Sequence, residues 1–191
     1  VFERFAAASP ADVAAARYDY FTNTVWPRIR EGMGANGLLL FVPSYFDFVR
    51  VRAFLKAEDE ELYEALSEYT DSRDVTAARS RFFHRRVRVL LYTERAHFYH
   101  RHRLRGIKDV LFYAPPEHAS YYPELINLLE DAGAGGAAAP GAATSAPATL
   151  THHASVGLLF CRWDVLALER IVGGPRARKM VKADASTFMF C

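Results

Sequence analysis

The sequence predicts an α/β fold: a doubly wound, mainly parallel sheet with helices on both faces. Three observations carry this. Apolar runs of strand length, such as 38–42 and 156–161, are continuous rather than alternating, as strands covered on both faces require. Helical patterns separate these runs, which argues for βαβ units. The right-handed crossover rule then favours a doubly wound sheet.

The elements follow in chain order. Ser9-Pro10-Ala11-Asp12 opens a helix: Ser9 can cap, Pro10 suits the first turn and Asp12 complements the helix dipole. This Ala-rich helix runs through Tyr20, Phe21 and Trp26 towards Gly32, and a glycine-rich break follows. Leu38 to Val42 is a strand stopped by Pro43. Ser44 and Asp47 have capping-box-like spacing and start a helix whose apolar positions are Phe48, Val51, Phe54 and Leu55. Residues 63–69 form a short strand, and Asp71 or Ser72 caps a helix to about His84. Residues 87–92 form the next strand. A basic segment from Glu94 to Arg105 ends at Gly106, and residues 110–113 form a strand stopped by Pro115-Pro116. A helix is expected over 121–129, a strand over 156–161, a helix over 164–172 and a final strand over 187–190.

Residues 132–149 read AGAGGAAAPGAATSAPAT, without charge and with little bulk to bury. They are expected to form a disordered insertion. The domain reading is therefore a helical lead-in, 1–36, and an α/β domain, 37–191, with an Ala/Gly/Pro-rich insertion at 132–153.

The 191 residues suit one domain or slightly more. With 51% hydrophobic and 24% charged residues, the composition excludes global disorder and fibrous repeats. No apolar run approaches the ~18 residues of a membrane span, so no membrane partner is expected. Two cysteines exclude a disulfide framework and favour a reducing compartment. The start at Val1 reads as a fragment of a longer protein.

The net charge of +2 hides segregation. Residues 56–74 carry eight acids against two bases, and residues 79–108 carry ten bases against Glu94 alone. A local excess of +9 attracts polyanions, nucleic acid above all. The competing reading is a solvated face neutralised by the preceding acidic stretch.

Catalytic patterns are absent. No phosphate-binding P-loop occurs, and GMGANG at 32–37 precedes a strand rather than a helix, so it reads as a turn. His97, His100 and His102 lie among arginines that repel a divalent cation, so no metal site is expected. The pair His152-His153 needs no function. Cys161 lacks an evident general base and reads as a buried structural thiol. No catalytic residue and no cofactor is expected.

Four segments are distinctive: LLFVPSYFDFVR (39–50), LYTERAHFY (91–99), LRGIK (104–108) and LERIVG (168–173). Together they resemble the C-terminal domain of the digestive organ expansion factor family. These are nucleolar proteins of the small-subunit processome, which matures small-subunit ribosomal RNA. The resemblance spans about 39–180, and the insertion departs from it. That family is in turn similar to DEAD-box RNA helicases in degenerate form, which implies a second RecA-like domain here. Phe41 to Tyr45 resembles the helicase turn that grips RNA. Thr93-Glu94-Arg95-Ala96 resembles the Thr-Asp-x-Ala segment at a strand end, with Glu for Asp. Tyr113-Ala-Pro-Pro116 stands for Tyr-Asp-x-Pro. The helicase His-Arg-Ile-Gly-Arg-Thr-Gly-Arg segment falls, without gaps, on 124–131. Arginine is absent there, and Glu124, Glu130 and Asp131 stand instead. Phosphoryl transfer needs cations on the equatorial oxygens, and one arginine contributes on the order of 10³–10⁵ in rate.

The resemblance thus implies a non-catalytic pseudo-helicase module in the nucleolus, binding pre-ribosomal or small nucleolar RNA and other processome proteins. Its candidate contacts are Ser44, Tyr45, Thr93, Glu94, Arg95, Arg101, Arg103, Arg105 and Lys108. Two alternatives stay open: an active RNA helicase domain completed by an N-terminal domain, and a pure protein-interaction module.

Overall fold

The computed structural model describes residues 1–32, 37–129 and 155–189. The expectations for the glycine-rich turn at 33–36, for the insertion 132–153, and for Glu130, Asp131, His152, His153, Phe190 and Cys191 lie outside the described residues.

The strands are β1 (Phe2–Arg4), β2 (Leu38–Val42), β3 (Tyr63–Leu66), β4 (Val89–Thr93), β5 (Asp109–Phe112), β6 (Ser155–Phe160) and β7 (Thr187–Phe188). They form one sheet in the order β3-β4-β2-β5-β6-β1-β7. The β3/β4, β4/β2, β2/β5, β5/β6 and β6/β1 pairs are parallel, and among the described residues only β7 runs antiparallel, against β1. The chain leaves β2 for β3 and β4 on one side, then crosses back to β5 on the other. This is the doubly wound arrangement.

Alternation along the strands feeds two cores. Leu38, Leu40 and Val42 face one side, where Phe21, Val25, Trp26, Ile29, Phe48, Val51 and Leu55 cover them. These belong to α1 (Val13–Tyr20), a π-helical turn at Phe21–Val25, α2 (Trp26–Glu31) and α3 (Tyr45–Glu58). Leu39 and Phe41 face the other side, under α4 (Ser72–Phe83), α5 (Glu94–His100), α6 (Tyr121–Ile126), α7 (Val165–Val172) and α8 (Gly174–Lys182).

The local signals work as their chemistry predicts. Asp12 accepts from the Ser9 backbone N–H at 3.1 Å and from its hydroxyl at 2.6 Å. Ser44 Oγ accepts from the Asp47 N–H, and Thr93 Oγ1 accepts from the Ala96 N–H at 3.0 Å, capping α3 and α5.

Four differences from the sequence reading have physical reasons. Residues 2–4 of the expected helical lead-in form a strand, β1, because β6 and β7 offer open edges on both sides; three residues are too few to show a period. The strand expected over 63–69 ends at Leu66, where a turn takes over: Ser67 O accepts from Thr70 N–H and Thr70 Oγ1 accepts from Ser67 N–H. The helix expected over 121–129 ends at Ile126, and Leu129 instead bridges Ile107. Helix α8 was not expected, as no element was assigned between 172 and 187; Pro175 sits in its first turn, where a missing N–H costs nothing.

Candidate nucleic-acid interface

The parallel strands end along one edge of the sheet, and the turns leaving β2 and β4 lie side by side there. Val42 and Thr93 are direct partners across the ladder. Ser44 and Tyr45 start α3, and Thr93, Glu94 and Arg95 start α5. The fold therefore gathers five of the nine candidate residues at the strand C-termini, where open α/β sheets hold ligands.

These five differ in accessibility. Thr93 and Glu94 are buried, and their side chains are occupied. Thr93 Oγ1 donates to Glu68 at 3.1 Å. The Glu94 carboxylate accepts from the backbone N–H groups of Glu117 and His118, both at 2.9 Å, and lies 2.8 Å from His118 Nδ1. Glu94 thus fixes the turn that follows β5, and both groups position backbone. Ser44 and Tyr45 are half-buried. The Tyr45 ring stacks on Phe48 and meets Tyr69 edge-on. Arg95 is exposed and lies 3.2 Å from Glu68.

The other four candidates run away from that edge. Arg101 ends α5 in the left-handed conformation (φ 37°), pairs with Glu124 of α6 at 3.4 Å and lies over the Tyr121 ring. Arg103 and Arg105 are exposed and carry no ion pair among the described residues. Lys108 is exposed at the opposite edge, where its N–H donates to Gly37 O just before β5 begins.

Partnering of the basic stretch is divided. Arg81 pairs with Glu64 and Arg95 with Glu68, so part of it is anchored to the acidic stretch. Arg103 and Arg105 instead border a concavity of about 260 Å³ with Thr76, Arg79 and Phe83. Arg79 and Phe83 were absent from the expected contacts. Their signal is legible in hindsight, because Thr76, Arg79 and Phe83 follow i, i+3, i+7 spacing on one face of α4.

The histidines serve α5 and its surroundings. His97 is buried with Nε2 3.1 Å from Glu124, and burial holds its pKa below the ordinary value. His102 tilts against Tyr92 and is likewise lowered by burial. Cys161 is fully buried, and burial pushes its thiol up to about 11, the behaviour of an inert structural thiol. No described helix is long and apolar enough to cross a membrane.

The model of the family described as Utp25, C-terminal domain, matches residues 1–190. Protein NUCLEOLAR FACTOR 1 of Arabidopsis thaliana is 37% identical over 191 residues, covering 100% of this chain and 23% of its own length. U3 small nucleolar RNA-associated protein 25 of Neurospora crassa is 40% identical over 196 residues, covering 99% of this chain and 24% of its own length. The chain therefore spans about a quarter of the length of the curated relatives it matches.

Among solved structures, Mss116p DEAD-box helicase domain 2 bound to an RNA duplex aligns with a TM-score of 0.57 at 14% identity, covering 96% of this chain and 60% of its own. The C-terminal domain of the DEAD-box protein Dbp5 aligns at 0.56 and 14%, covering 88% and 79%. At such identities the likeness shows the fold, which is RecA-like. With both cores and the strand-end turns inside the matched residues 1–190, the chain belongs to the Utp25 C-terminal domain family.

Proposed function

We propose that this domain is a non-catalytic, helicase-like module of a nucleolar assembly factor. It acts in the small-subunit processome, in ribosomal RNA processing and small ribosomal subunit biogenesis. It binds pre-ribosomal or small nucleolar RNA together with other processome proteins. The exposed candidates Arg95, Arg101, Arg103, Arg105 and Lys108 make contact, with Ser44 and Tyr45 at the strand ends, while Thr93 and Glu94 hold the turns that present them. In this reading the digestive organ expansion factor family and the Utp25 family are one.

The observation that carries the proposal is Glu124. It stands on α6 at the start of 124–131, on which the arginine-bearing segment of the resembled helicases falls and in which no arginine stands, and it faces His97 and Arg101. A carboxylate there repels the equatorial oxygens of a transferring phosphoryl group, which need cations. The relatives' names, a nucleolar factor and U3 small nucleolar RNA-associated proteins, support the setting.

The test is steady-state phosphate release by the full-length protein with and without RNA. No RNA-stimulated hydrolysis is expected. RNA-stimulated turnover on the order of 1 s⁻¹ or more, within the ordinary enzyme range, overturns the non-catalytic reading in favour of an active helicase.

A further inference from the structure

We propose that Arg79, Arg103 and Arg105, set around Phe83, form a site for single-stranded RNA in which the guanidinium groups take phosphates and the ring stacks on a base. The inference rests on the RNA-binding reading above and gives it a place and a ligand form. The site lies on the face of the sheet covered by α4 and α5, away from the strand-end turns.

The segment bearing Arg103 and Arg105 is fixed by its backbone and by one anchor. Leu104 is buried, so its two neighbours project outward. The Arg103 carbonyl accepts from Arg79 Nη2 at 2.5 Å, and the Gly106 carbonyl accepts from the Arg85 guanidinium. Gly106 has a φ of 84°, and a Cβ there would lie 3.3 Å from the Phe83 Cα. The segment is thus laid tightly against the end of α4, and the concavity is built before any ligand arrives. Pre-organisation of this kind lowers the entropy cost of binding.

The charge is unusual for this surface. Arg30, Arg81, Arg95, Arg101 and Arg178 each lie against a carboxylate. Around Phe83 three arginines line one concavity, and no carboxylate lines it among the described residues. An anion seated there lies beside all three cations, and charge-assisted hydrogen bonds from guanidinium groups are strong and directional.

The ring decides which anion. Phe82 and not Phe83 supplies the core contact of this turn, and Phe83 stays 46% exposed at the mouth of the concavity. An acidic protein segment would neutralise the arginines but leaves the ring without a role. A nucleotide uses both, since arginines track the backbone and aromatic faces stack on bases without sequence preference. Bases inside a duplex are covered by their neighbours on both faces, so stacking on Phe83 calls for an unpaired nucleotide.

The test measures binding of a labelled single-stranded oligouridylate to the full-length protein over a series of salt concentrations. The double variant R103Q/R105Q should reduce the slope of log K against log salt by about 1.4, since each single-strand phosphate contact adds about 0.7. R30Q should leave the slope unchanged, because Arg30 lies against Glu58 on the opposite face of the sheet. F83L keeps an apolar side chain without a ring face and should weaken binding about tenfold at constant slope. Thermal melts of each variant confirm folding.

If the wild type binds and these variants leave affinity and slope untouched, the proposed site falls while the RNA-binding reading stands. If the wild type binds no RNA, both fall. If the slope drops but F83L binds like the wild type, the site holds polyanions in general, such as an acidic protein, and the assignment to RNA is overturned.

Discussion

His97 Nε2 lies 3.1 Å from Glu124 Oε2, joining α5 to α6 on the side of the sheet that carries the basic stretch. Burial is the larger influence on His97 and lowers its pKa; the Glu124 carboxylate only partly offsets it. His97 is therefore a neutral structural group whose ring also packs edge-on against Tyr121.

A pH dependence follows. His97 and His102 both have folded pKa values below the ordinary histidine value of 6.5. Between the folded values and 6.5 the unfolded chain binds more protons, so stability rises with pH. The contribution is present in full above 6.5 and is lost as pH falls towards the folded values. Melting temperature should decline from pH 7 to 5, and H97N/H102Q should flatten that decline. In an NMR titration E124Q should move His97 lower still; an upward move would contradict this account.

The Arg17–Asp164 pair should be among the most costly to break. Arg17 Nη2 donates to both carboxylate oxygens, at 2.9 and 2.8 Å, and Asp164 Oδ2 also accepts from the Cys161 N–H. Both side chains are largely buried, at 8% and 18% exposure. Arg17→Ala strands the carboxylate and should cost about 3 kcal/mol in urea unfolding. A cost below about 1 kcal/mol would class the pair with exposed surface bridges.

Gly37 is a second sensitive point. Its φ is 115°, and a Cβ would collide with the Arg85 guanidinium and lie 2.5 Å from the Gly106 carbonyl. Gly37→Ala should destabilise the fold by about 2 kcal/mol, from left-handed strain and the displaced Arg85 contact. A melting temperature within a degree of wild type would show that the 103–106 segment gives way freely.

Cys161 should resist thiol reagents. In a Cys191→Ser background the folded protein should react with an aromatic disulfide reagent at pH 8 far more slowly than the urea-unfolded protein, because the thiol is buried and its pKa is pushed up to about 11. Equal rates would place the thiol at the surface.

The sheet's inner strands were legible because each encodes itself locally. Leu38–Val42 is apolar on both faces, Ser44 and Thr93 carry side-chain caps, and Pro43 and Pro115 stop the chain. β1 and α8 were not legible. Three residues show no period, and the amphipathic stripe of α8 is disguised by Gly-Gly-Pro at its start and four cations within it.

By itself the sequence determined the layer structure, the caps, the segregation of charge and the family resemblance, because each depends on neighbours within a few turns or on long distinctive words. Only the tertiary structure decided what each charge meets. Arg95 met Glu68, Arg101 met Glu124, and Arg103 and Arg105 were left facing Arg79 and Phe83. These partners are brought together from 20 to 27 residues away in the chain by the crossing of α4, α5 and α6 over the sheet. A charge's energy depends on its nearest counter-charge and its exposure, and neither is a property of sequence distance.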